Sequence, residues 1–322
     1  MFTKLSKAAV SAAVLAAAAV ASAAPVPASA VSPPLGHVRT AVHFDLAKGR
    51  TPENIAPAPD GTAYVTFAKA RQVGAVSRGG SVRILATLPE PADGGVHTPA
   101  LGFPLTTGIV RAHDGTLYFL YATGTADLTG VWRLRPGGRP QRIAALPAAG
   151  LPNGLALDAR TRTLYVTDSA LGTVWRVPTS GGTASAWSTD PALAPAGFLG
   201  ANGLKIHNGA VWATNLDKGT VFRIPILADG CAGTARVAAT GLTGIDDFAF
   251  TGHGDDQIIA ALNTVNQVAL IRPDGTHTTV LTAADGLQGP TSIALRGDTV
   301  YVMSAAYLTA KDPNLILAHL ND

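Results

Sequence analysis

Cysteine is nearly absent from this 322-residue chain: Cys231 stands alone, which excludes a disulfide within the chain and a cysteine-built zinc centre. With no neighbouring histidine motif to activate it, the thiol reads as a small buried apolar side chain, with an exposed free thiol as the alternative. Basic residues are scarce as well. Lys and Arg number 24 against 21 Asp and Glu, and without Lys4 and Lys7 near the N-terminus the balance is 22 to 21, so there is no electrostatic footprint for a nucleic acid. Long apolar runs are confined to residues 8–20, an Ala/Val/Leu stretch behind those two lysines and ahead of A-x-A sites ending at Ala23 and Ala30. That pattern predicts a secretory signal peptide over residues 1–30, cleaved near 23 or 30, and no stable membrane insertion. The remainder, 31–322, is expected to be a single exported, extracellular domain and a monomer. Glutamate is the rarest acid. It occurs only at Glu53 and Glu90, the other 19 of the 21 acidic residues being Asp.

What is present is a repeat. A short strand-opening pattern returns six times: PENIA from Pro52, TTGIV from Thr106, PNGLAL from Pro152, ANGLKI from Ala201, IDDFAF from Ile245 and PTSIAL from Pro290. Aligned on the apolar residue two places later, the varying position reads Glu53, Thr107, Asn153, Asn202, Asp246 and Thr291, at intervals of 54, 46, 49, 44 and 45 residues. Such a period is that of one four-stranded propeller blade. Each repeat continues through turns such as Asp60-Gly61 or Asn208-Gly209 into a second strand (AYVTF, TLYFL, TLYVTD, AVWATN, QIIAALN, TVYVMS), and a third follows, as in GVWRLR and TVWRVP. In register within the third strands, Trp132, Trp175 and Phe222 are expected to pack between blades. The expected fold is therefore all-β, a six-bladed β-propeller. Its last repeat supplies only three strands, and the alternating stretch VRTAVHFDL from Val38 is left over. Pairing the two closes the ring and removes sheet edges.

Six blades bring the six varying side chains around one axis. The strongest donors among them, Glu53, Asn153, Asn202 and Asp246, are two carboxylates and two carboxamides, which meet stably only around a positive charge. One calcium ion suits them, since it takes six to eight oxygens at about 2.3–2.6 Å in irregular geometry. Asp247 is the alternative ligand if the register slips by one, but alternation from Phe248 favours Asp246. The ends of the second strands, Asp168, Asn215, Asn263 and Ser304, face the same side and read as caps of the following turns. The long loop 89–104 and the segment 195–199 offer Leu101, Phe103 and Phe198 as an apolar pocket wall, with Thr107 and Thr291 as further candidates to face a small-molecule substrate. The histidines His113, His207, His253 and His277 sit in turn-rich polar stretches and are read as solvated turn residues.

The ordered set Glu53, Asn153, Asn202, Asp246, spread over the mature chain, resembles the senescence-marker-protein/gluconolactonase family of six-bladed propellers, which includes diisopropylfluorophosphatase and drug-responsive lactonases. The resemblance implies calcium-dependent hydrolysis of a lactone or related ester, the ion polarising the carbonyl and Asp246 acting as general base or nucleophile. The chain departs from the family pattern in places. The Arg-x-Asn-Asp segment of sugar-lactone enzymes is replaced by PLTTGIV, the last blade carries Met303 and Ser304 where the phosphatase branch has a histidine, and Ala249 stands where a second calcium needs an acid. Two other readings share the architecture: a non-catalytic, calcium-stabilised propeller that binds a ligand or protein, and a condensing enzyme dependent on a late glutamate, which a chain with no Glu after Glu90 does not supply.

Overall fold

The structure, a computed structural model, describes residues 34–252 and 256–321. The segment read as a signal peptide lies outside the described residues, as does His253. Among the described residues no helix is long and apolar enough to cross a membrane.

Six four-stranded antiparallel sheets follow one another in the order of the sequence repeats. Blades 1 to 5 run over residues 52–87, 105–145, 152–188, 201–239 and 245–281, each with its strands in simple sequence order. Blade 6 combines Pro290–Arg296, Thr299–Ser304 and Asn314–Leu320 with the N-terminal strand Leu35–His43 as its outermost member. The closing pair is antiparallel, from Leu35 opposite Leu320 to His43 opposite Asn314. Both ends of the propeller thus meet in one sheet, and separating them would expose two edges.

The second strands read as continuous apolar runs because both of their faces are covered. All six residues of Leu117–Ala122 are buried, and the core divides into six apolar clusters, each filling the seam between neighbouring blades. Trp132 packs in the seam between blades 1 and 2, Trp175 between 2 and 3, and Phe222 between 3 and 4. The residues used to align the repeats, Ile55, Ile109, Leu155, Leu204, Phe248 and Ile293, are all buried. A seventh cluster, Ala68, Leu105, Ala122, Leu151 and Leu199, lies above the seams and has Leu101, Phe103, Leu216 and Tyr307 packed against it.

Cys231 is exposed, which settles its two readings in favour of the free thiol. It closes a surface turn between the third and fourth strands of blade 4, where its N–H donates to Asp229 Oδ1. His207 is not a solvated turn residue either. Its ring stacks on Phe250 at 3.9 Å between centroids and lies 3.2 Å from Asp256, since its place at the end of the first strand of blade 4 turns it toward blade 5.

Candidate functional site

Every innermost strand breaks register at the position that varies between repeats, for example between Pro152 and Leu155, Ala201 and Leu204, and Ile245 and Phe248. A bulge there re-aims one side chain out of the alternating pattern. Glycine makes the bulges compatible with close blade packing: a Cβ on Gly154 would stand 2.3 Å from the Asn202 carbonyl oxygen, and one on Gly203 would stand 2.7 Å from that of Asp246. The repeated Asn-Gly is therefore a side chain aimed at the axis followed by a gap into which the next blade's backbone fits.

Threonines fix that backbone. The Thr214 hydroxyl accepts from Gly203 N–H at 2.8 Å and donates to the Asp246 carbonyl at 2.6 Å. Thr167 does the same between Gly154 N–H and the Asn202 carbonyl. Asn202 and Asp246 are thus each held by a threonine of the preceding blade, as Thr107 is by Thr66.

Glu53, Asn153, Asn202 and Asp246 line a single cavity of about 290 Å³, all four of them buried. Its walls are apolar, with Leu101, Phe103, Leu105, Leu151, Phe198, Leu199, Leu216 and Leu308, and Lys69, Asn263, Thr264 and Tyr307 complete the lining. The loop carrying Phe103 seats against blade 2, where a Cβ on Gly124 (φ 73°) would meet the His97 backbone at 2.2 Å. The segment carrying Phe198 is held by Asp217, whose Oδ2 accepts from Ala196 N–H at 2.7 Å and Phe198 N–H at 2.8 Å.

Thr107 and Thr291 do not line the cavity. Their short hydroxyls are used between blades, donating to the Pro152 carbonyl at 2.8 Å and the Pro52 carbonyl at 2.9 Å. Two of the second-strand ends act as caps: Asp168 Oδ1 accepts from the backbone of Leu151, Ala170 and Leu171, and Asn215 bonds the backbone of Ala192, Ala194 and Lys218. Asn263 instead lines the cavity and donates to the Gly289 and Pro290 carbonyls. Asp247 turns away from the cavity. Its carboxylate receives Lys205 Nζ at 2.6 and 2.8 Å and Asn54 Nδ2 at 3.0 Å, so a resident ammonium already balances it.

Among the described residues neither of the other two acids is in an ion pair, and Lys205 acts on Asp246 only at a distance. Burial pushes the Glu53 carboxyl up to about 7; the Tyr307 hydroxyl, which donates to Oε2 at 2.5 Å, acts against that rise, and the charge of Asp247 adds to it. Burial, followed by the charges of Glu53 and Asp247, raises Asp246 well above the usual carboxylate range. Burial first and the Glu53 charge second hold the Tyr307 phenol protonated, so it remains a donor. Asn202 Oδ1 is buried with no hydrogen-bond partner. Unmatched acceptors around one space are what a cation site leaves when its ion is taken away. No group of three or more His, Cys, Asp and Glu gathers among the described residues, so amide oxygens have to complete any donor set, and an all-oxygen set of two carboxylates and two amides fits calcium better than zinc.

Lys69 and Tyr307 are cavity residues that the repeat does not reveal. Both lie just beyond a second strand, after AYVTF and TVYVMS, where the chain emerges on the face that carries the ring, and that location is the signal by which they could be found.

No known family profile matches the chain, and no curated protein is significantly similar to it. Solved structures do share its fold. A putative gluconolactonase superposes with a TM-score of 0.63 at 17% identity, over 89% of this chain and 92% of that one. A gluconolactonase from Xanthomonas campestris gives 0.62 at 14% identity, over 92% and 99%. Virginiamycin B lyase from Staphylococcus aureus, in a catalytically inactive form with quinupristin, gives 0.59 at 17%, over 85% and 82%. The class defined is a six-bladed propeller with the fold of gluconolactonases, a fold that a lyase also uses.

Proposed function

We propose that the chain is an exported calcium-dependent hydrolase of a lactone or related ester, acting as a monomer on a small-molecule substrate. The observation that carries this reading is the convergence of Glu53, Asn153, Asn202 and Asp246 on one largely apolar cavity, with the Asn202 oxygen unpartnered and neither acid in an ion pair among the described residues. The gluconolactonases among the structural neighbours support the reaction class. Nothing in the charge balance favours a nucleic acid, and the export signal is a reading of residues 1–30.

When bound, calcium supplies polarisation of the substrate carbonyl and raises its electrophilicity. The chain's own residues do the rest. Glu53 and Asp246 supply the charge of the donor set, Asn153 and Asn202 its neutral oxygens. Tyr307 holds Glu53 Oε2 and thereby orients the carboxylate. The leucines and phenylalanines of the wall hold the body of the substrate and exclude bulk water, which strengthens every charge interaction at the floor. Asp246 either takes the proton of the attacking water or attacks the carbonyl carbon itself.

The test is proton release from a panel of lactones by the purified protein, with calcium, with chelator and with Asp246→Asn. Calcium-dependent turnover that the variant lacks is expected. Absence of turnover on every lactone, with calcium still bound, would instead favour a ligand-binding propeller.

A further inference from the structure

Among the described residues, Lys69 is the only cationic side chain lining the cavity. Its backbone is fixed: the neighbouring Ala68 is fully buried and donates its N–H to the Thr51 carbonyl at 2.8 Å, the Lys69 N–H reaches Thr51 Oγ1, and Arg71 N–H closes the turn onto the Ala68 carbonyl at 3.0 Å. Nζ stands 5.3 Å from the centroid of Phe103 and 5.9 Å from that of Tyr307. Two aromatic walls of the same cavity thus hold the ammonium over it. Among the described residues no carboxylate pairs with Lys69, whereas Lys205 beneath the ring is taken up by Asp247. A long cation left without an anion, beside a space whose walls are mostly apolar, is a recognition element for an anionic group on a mostly apolar ligand.

We infer that the cavity selects lactones or esters whose apolar body carries an anionic substituent, such as a carboxylate, away from the reacting carbonyl, and that Lys69 binds that substituent. This rests on reading the cavity as the substrate site. The division of labour follows from the two ends of the cavity: the floor, where Glu53 and Asp246 would hold calcium in charge balance, engages the carbonyl oxygen, while the ammonium of Lys69, between Phe103 and Tyr307, is free to take an anionic tail. The volume of about 290 Å³ is near the lower end of small-molecule pockets, about 300–1,000 Å³, which suits a single ring with a short tail.

Lactams keep the ring and resist hydrolysis, so they separate recognition from turnover. Calorimetric titration of calcium-loaded protein with two δ-lactams, one bearing a butyl tail and one a carboxybutyl tail, is the test, run on wild type, Lys69→Met and Lys69→Arg. Wild type is expected to favour the carboxybutyl compound by at least about fivefold, because a charge pair beside apolar walls exceeds a fully exposed one. The ratio should fall to about one in Lys69→Met and persist in Lys69→Arg, and 0.5 M salt should reduce it in wild type. Equal affinities in wild type, or a preference that survives in Lys69→Met, would overturn the inference. If both lactams bind with the expected ratio but the lactones are never hydrolysed, the hydrolase reading fails and the recognition stands.

Discussion

Tyr307 donates its hydroxyl to Glu53 Oε2, joining a loop of the last blade to the innermost strand of the first. Glu53 is thereby a ring carboxylate tied by a residue from outside the repeat.

Replacement Tyr307→Phe removes that donor and leaves a buried carboxylate oxygen unpartnered. Loss of an outer partner of a metal-binding side chain weakens metal affinity by about 10- to 100-fold. The variant should bind calcium at least about tenfold more weakly in a direct titration, and an unchanged affinity would make Tyr307 a packing residue only.

Under the proposed reading calcium would compete with protons for this site. With Glu53 pushed up to about 7 and Asp246 raised, the ion-free folded protein holds protons that the unfolded chain has released above about pH 4.3. A group whose folded value is raised stabilises the protein below its unfolded value, and that contribution is lost as pH rises through about 7. Chelated wild type should therefore lose more melting temperature between pH 5 and pH 8 than chelated Glu53→Gln. Over the same range calcium affinity should increase, with protons released on binding. Equal pH profiles for wild type and variant would count against a raised Glu53.

Asp246 has two possible roles, and single-turnover hydrolysis in heavy-oxygen water separates them. If it activates water, the first product molecule carries the label. If it attacks the carbonyl, the ring oxygen leaves the acyl carbon and an acyl-aspartyl anhydride forms; water opening that anhydride at the Asp246 carboxyl carbon gives a first product with an unlabelled oxygen from the carboxylate and puts the label in Asp246.

Gly203→Ala should disturb two blades at once, since the new methyl would stand 2.6 Å from Asp247 Oδ1 and 2.7 Å from the Asp246 carbonyl oxygen. Overpacking of this kind costs about 1–3 kcal/mol. Denaturant unfolding measures the loss, which should be accompanied by weaker calcium binding because the Asp246 backbone has to move.

The ring was legible in the sequence because its residues recur at blade intervals next to buried apolar markers, Ile55 through Ile293, which fix the register. Closure was legible for a similar reason: three strands at one end and one surplus strand at the other. Thr107 and Thr291 share the ring position, but residue type decides what a ring position does. A hydroxyl one carbon from the backbone finds the neighbouring carbonyl, whereas the longer acids and amides extend into the cavity. Lys69 and Tyr307 were hidden because they belong to loops that differ between blades, so no repeat marks them. His207 was misread because a turn-flanked sequence carries no sign of Phe250, which reaches it from the next blade.

The most direct test of the account is calorimetric titration of calcium into chelator-stripped protein, alongside Asp246→Asn and Asp247→Asn. The account predicts one site in wild type, its loss in Asp246→Asn and its retention in Asp247→Asn, whose parent side chain is already paired with Lys205. No binding to wild type, or binding abolished by Asp247→Asn and untouched by Asp246→Asn, would contradict it.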